Sequence, residues 1–92
     1  MSSNFIKAYN FVENTYMQNR NGIIPMENQE FSQAFFDCFD FLSSLSKEEI
    51  DYLKSDVNLH CKLVMFDTIK LHIMAQNPRM LHIPGFYKNF SA

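Results

Sequence analysis

Five phenylalanines fall within eleven residues: Phe31, Phe35, Phe36, Phe39 and Phe41. No Gly or Pro interrupts them, so a helix can run through the stretch, and a helix over 27–44 is expected. At 100° per residue, Phe31, Phe35, Cys38, Leu42 and Leu45 share a narrow arc that Ala34 and Phe41 widen. Phe36 and Phe39 stand off that arc, about 140° and about 80° from Phe31. They share a flank with Ser32 and Ser43, while Glu30, Asp37 and Asp40 project on the other side. The helix therefore carries two apolar ridges. Either both sides are packed, or one ridge is an aromatic patch for a partner.

The rest of the chain reads as helix around this one. It has 92 residues with only two Gly and three Pro, too few breakers for a linker, and too many aromatics for disorder. Phe5, Tyr9, Val12 and Tyr16 keep a helical spacing after Ser2 or Ser3, either of which can cap. Gly22 is placed to end that helix in the left-handed region, and Pro25 to open the next one. Leu45-Ser46-Lys47-Glu48-Glu49-Ile50 combines a capping box with a hydrophobic staple, which fixes a helix start. Beyond it, Ser55-Asp56 either caps a new helix or lies inside one that runs on to Gln76. Leu59, Leu63, Phe66, Ile69 and Ile73 line one side of 57–75, and Val57, Val64 and Leu71 another. A helix apolar all round is expected to be buried. Asn77-Pro78 stops it.

The expected architecture is all-α: a small bundle of three or four helices, residues 1–77, with an extended apolar C-terminal tail, residues 78–92. In the tail, Ile83-Pro84-Gly85-Phe86 suits a type II turn with Gly85 at positive φ. Met80, Leu81, Ile83, Phe86, Tyr87 and Phe90 follow no helix or strand period. Such a terminus either folds back on its own bundle or lies on another protein.

Charge is segregated. Residues 27–56 hold eight acidic side chains against Lys47 and Lys54, a local −6, whereas 57–92 sum to +3 within a net −2. Two readings follow: an acidic helix packed on a basic one, or a polarised surface that steers a basic partner. An acidic balance argues against nucleic acid as a partner. Arg79, His82, Tyr87 and Lys88 are too dispersed to reverse that. Cys38 and Cys61 form no Cys-x-x-Cys pair and sit in apolar helical patterns, which suggests free thiols in an intracellular, reducing compartment. His60 and Cys61 are adjacent, about 100° apart on a helix, and no same-face His pair exists, so neither metal nor cofactor is expected. His60 and His72 are expected to be partly exposed. No apolar run is long enough to span a membrane. There is no Gly-rich phosphate loop, and Cys38 lies beside Asp37, which opposes thiolate formation.

The expected function is accordingly non-enzymatic: a protein-interaction module, either an accessory subunit of a larger assembly or an inhibitor-like adaptor. Its surplus of apolar surface would go to another protein or to a second copy in a homo-oligomer. The candidate interaction residues are Phe36, Phe39, Ile83, Phe86, Tyr87 and Phe90. The alternative is a carrier of an apolar small molecule or lipid, held between the Phe-rich helix and the 57–75 helix.

Overall fold

The computed structural model describes residues 3–92. Four α-helices follow in order: α1 Ser3–Asn19, α2 Gln29–Ser43, α3 Lys47–Lys54 and α4 Val57–Gln76. A 3-10 turn, Pro78–His82, and a looped tail complete the chain. The described residues contain no strand. Ser2, one of the two expected caps of α1, lies outside the described residues.

Each later helix starts at a side-chain cap. The Asn28 carboxamide oxygen accepts from the Phe31 N–H at 3.0 Å, so α2 begins at Gln29. Pro25 belongs to the connector before this cap, and the expected role of opening a helix falls to Gln29 instead. Ser46 and Glu49 form the reciprocal capping box of α3, with bonds of 2.8 and 3.1 Å. Asp56 accepts from the N–H groups of Asn58 and Leu59, which settles the region after Ser55 as two helices rather than one. Gly22 is not in the left-handed region. Among the described residues only Gly85, at φ 78°, takes a positive φ, and it does so within the Ile83–Phe86 turn.

α1 lies closest to α2 and also touches α4, while α3 and the 3-10 turn pack on α4. Between α2 and α4 stands a layer of rings. Phe35 stacks on Phe66 with centroids 5.1 Å apart, and both are wholly buried. The tail covers the Phe39 part of the second ridge of α2, and Phe36 stays half-buried. Phe39 packs against Phe86 at 5.6 Å and Phe90 at 6.2 Å, and all three are core. The tail therefore folds back on its own bundle, and residues 78–92 share one core with the helices. The α1–α2 connector is held by Gln76 near the far end of α4. Its carboxamide accepts from the Ile24 N–H and donates to the Gly22 carbonyl, each at 2.8 Å.

A buried ion pair fixes the tail. Asp67 and Lys70, one turn apart on α4, approach to 3.4 Å. The Asp67 carboxylate also accepts from the Phe90 and Ser91 N–H groups, at 3.1 and 2.8 Å. The Lys70 ammonium donates to the Lys88 carbonyl and lies 4.3 Å from the Phe90 ring centroid. Burial pulls the Lys70 pKa down, and the neighbouring Asp67 carboxylate opposes that fall.

The expectation that 57–75 is buried all round is corrected. Val57, Val64 and Leu71 are 75%, 47% and 56% exposed. The rest of the fold covers one side of α4 only, so a stripe of apolar residues faces solvent.

Losing one partner of a buried pair costs about 3–5 kcal/mol, a large part of what a small domain holds. Asp67→Ala is expected to lower stability by that amount in urea denaturation. Phe86→Ala should cost about 3–5 kcal/mol through the cavity it leaves. Truncation after Gln76 should abolish the cooperative thermal transition seen by circular dichroism. A truncated chain that melts at the full-length temperature would show that the tail is not core.

Candidate interaction site

The seam between α1 and α2 is core on one side and open on the other. On the open side Phe5 and Phe41 stack with centroids 5.0 Å apart. Ala8 and Ala34 are too small to fill the space beside them. The result is an open groove of about 680 Å³, with Phe11 at its edge, 40% exposed. On α2 the groove runs from Glu30 to Phe41, roughly 16 Å at the helical rise.

The walls differ in charge. Glu30 and Asp37 stand on the α2 side, where Gln33 donates to the Asp37 carboxylate at 2.9 Å. Lys7 stands on the α1 side. α2 carries Glu30, Asp37 and Asp40 and not one Lys or Arg. Among the described residues each of the two ion pairs stays within its own helix, Asp51 with Lys54 at 3.5 Å in α3 and Asp67 with Lys70 at 3.4 Å in α4. Neither joins the acidic middle of the chain to its basic C-terminal third. The segregated charge is thus not consumed by helix–helix packing, and the acidic side chains of α2 face solvent.

The six residues expected at the interface are separated by the fold. Phe39, Phe86 and Phe90 are buried in the core. Phe36 is half-buried, its ring edge-on to Phe35 and Phe39. Ile83 is half-buried against the core. Tyr87 alone is fully at the surface, 73% exposed, beside Leu71 and Met74 of α4. The space between α2 and α4, where an apolar ligand was considered, is filled by the Phe35, Phe66, Phe39, Phe86 and Phe90 rings. Sequence reasoning passed over the groove because its floor is defined by two alanines, which stand out only once both helices are placed.

His60 and His72 are half-exposed, and His72 Nδ1 lies 3.1 Å from the Tyr16 hydroxyl. No cluster of three or more His, Cys, Asp or Glu that could hold a metal occurs among the described residues. Among them, too, no helix is long and apolar enough to cross a membrane. Neither a family model, nor a curated protein, nor a solved structure matches the chain.

The two thiols are free and differ in surroundings. Cys61 is exposed and Cys38 buried. Burial, helped by the Asp37 charge, pushes the Cys38 pKa up to about 12. Burial and the hydrogen bond to Glu13 push Tyr9 the same way. Above the ordinary thiol value of 9.0 the unfolded chain loses the Cys38 proton while the folded chain keeps it to about pH 12. The stability from a neutral Cys38 is therefore complete below pH 9 and drains away as pH rises to about 12. The slope is at most about 1.4 kcal/mol per pH unit. Tyr9 adds to this loss from its own higher starting point, and Lys70, shifted down, works in the opposite direction.

A thiol reagent should titrate one cysteine per folded chain and the second only on unfolding. Cys38→Ala should flatten the alkaline fall of the urea midpoint relative to the parent. Equal slopes in the two proteins would place the titrating group elsewhere.

Proposed function

We propose that the protein is a non-enzymatic interaction module, an adaptor that takes a basic amphipathic helix of another protein into the α1–α2 groove. The observation that carries this reading is the pairing of an apolar floor with an acidic wall: Phe5, Ala8, Ala34 and Phe41 beneath, Glu30 and Asp37 beside. An incoming helix would set side chains spaced by three and four residues into the floor. Its basic flank would face α2, and a neutral or acidic flank would face Lys7, which gives it one orientation. Phe11, already partly exposed, offers an aromatic anchor. The acidic side chains of α2 would steer the approach, so association should slow as salt rises.

Two fluorescent model helices test the reading: an amphipathic Leu/Lys peptide and its Leu/Glu counterpart, followed by anisotropy. The Leu/Lys peptide should bind and the Leu/Glu peptide should not. Ala34→Lys should abolish binding by filling the floor. Glu30→Lys with Asp37→Lys should weaken it about tenfold, or about 1.4 kcal/mol, at low salt. Glu48→Lys, which changes the charge by as much as Asp37→Lys alone but away from the groove, should leave affinity within about twofold. If Glu48→Lys weakens binding as much as Asp37→Lys does, the attraction is bulk charge and the groove is not the site.

A further inference from the structure

α4 spans twenty residues, yet no charged group lies on its outer face. Its exposed residues are Val57, Asn58, Cys61, Val64, Thr68, Leu71 and Ala75. The helix has three charged side chains, and each is engaged from within the fold. Asp67 and Lys70 are buried together, and the Lys62 ammonium lies 5.3 Å from the Tyr9 ring centroid. A surface helix normally turns its charges outward. Here the outer face is the uncharged one.

The residues on that face keep a 4-3-4-3-4 spacing: Val57, Cys61, Val64, Thr68, Leu71, Ala75. This is the seam along which two helices pack by knobs into holes. It divides into two rows. Val57, Val64 and Leu71 are large, and Cys61, Thr68 and Ala75 are small. A two-fold axis midway along the helix, at Phe66, sets each large residue against a small one on the opposing, antiparallel helix. Val57 meets Ala75, Cys61 meets Leu71, and Val64 meets Thr68. All three pairings fall in register around one centre. A parallel pair would instead set small on small and large on large, leaving gaps in alternate layers.

We propose that this face is occupied by a second copy of the chain, α4 packing antiparallel on α4 about Phe66. Lack of charge on the face removes like-charge repulsion between identical surfaces, which the acidic outer face of α2 would meet on self-contact. Tyr87 and Met74 flank Leu71 and extend the apolar patch beyond the helix. The pairing shares no lining residue with the α1–α2 groove and stands independently of what the groove binds. Resting mainly on a single helix face, it is at the small end of stable interfaces, so the dissociation constant is expected on the order of micromolar.

Sedimentation equilibrium of the full chain and cysteine cross-linking test this together. The parent protein should dimerise reversibly. Val64→Lys, at an exposed position, should be monomeric, with the melting temperature of the parent at concentrations where the parent is also monomeric. In the antiparallel register the two native Cys61 residues lie about 15 Å apart along the pair, so the parent should form no linked dimer on mild oxidation. Leu71→Cys sets a new thiol against Cys61 of the second copy, and should give a linked dimer in high yield. The two thiols within one chain are ten residues apart on a helix and cannot join. A parent chain that stays monomeric at several hundred micromolar overturns the proposal. So does unchanged dimerisation of Val64→Lys, or ready linkage of the parent through Cys61 alone, which would mean a parallel pair.

Discussion

The whole molecule depends on one buried ion pair doing two tasks at once. Asp67 and Lys70 sit on the inner side of α4, where desolvation would make either charge alone prohibitive. Their mutual attraction is only part of the compensation. The remaining lone pairs and protons are taken up by the main chain of the tail, through the Phe90 and Ser91 N–H groups and the Lys88 carbonyl. That polar grip holds Phe86 and Phe90 against Phe39 and Phe66. Phe39 of the second aromatic ridge of α2 becomes core because the tail is tied down, and the tail is tied down because two charges need its backbone. Buried ion pairs are weak contributors to net stability, but they specify one arrangement well. Here the arrangement specified is the path of an otherwise irregular segment.

Much of the architecture was legible in the residues. Ser46 and Glu49 announced a helix start that the structure reproduces bond for bond, because a capping box is local chemistry that needs nothing distant. Pro84-Gly85 likewise fixed its own turn. The helix-forming spacing of Phe5, Tyr9, Val12 and Tyr16 was read correctly for the same reason: all four are buried on one face of α1. The failures concern which apolar surface is covered by what. Val57, Val64 and Leu71 resemble Leu63, Phe66 and Ile73 in composition, and only the three-dimensional placement of the tail distinguishes the inner set from the outer. Asp67 and Lys70 figure in the sequence only as part of the charge balance of 57–92, although their register with Leu63, Phe66 and Ile73 puts them on the inner arc.

The interface residues favoured from the sequence illustrate the same point. An aromatic without a period looks like a spare anchor, yet Phe86 is among the most enclosed rings in the protein and Phe90 is buried as well. What is left at the surface is less conspicuous: alanines in a groove, valines on a helix, and the acidic side chains of α2, which form no ion pair among the described residues. Recognition surfaces in a small domain are set by what the core leaves over, so they can be located only after the core has been assigned.

The position of the tail has a consequence for the order of events during synthesis. α1 to α4 are complete once Gln76 has been added, but Phe39 and Phe66 then lack two of the rings that enclose them, and Asp67 and Lys70 have only each other. Helices can form in that shorter chain because their caps and periods are local. A sealed interior cannot. Until residues 86–91 are available, the growing polypeptide holds a wet, ring-lined cleft beside α4, open to whatever apolar segment reaches it first. Docking of residues 86–91 is what fills this cleft, so any chain that ends short of them would keep the Phe39 and Phe66 rings within reach of wrong partners.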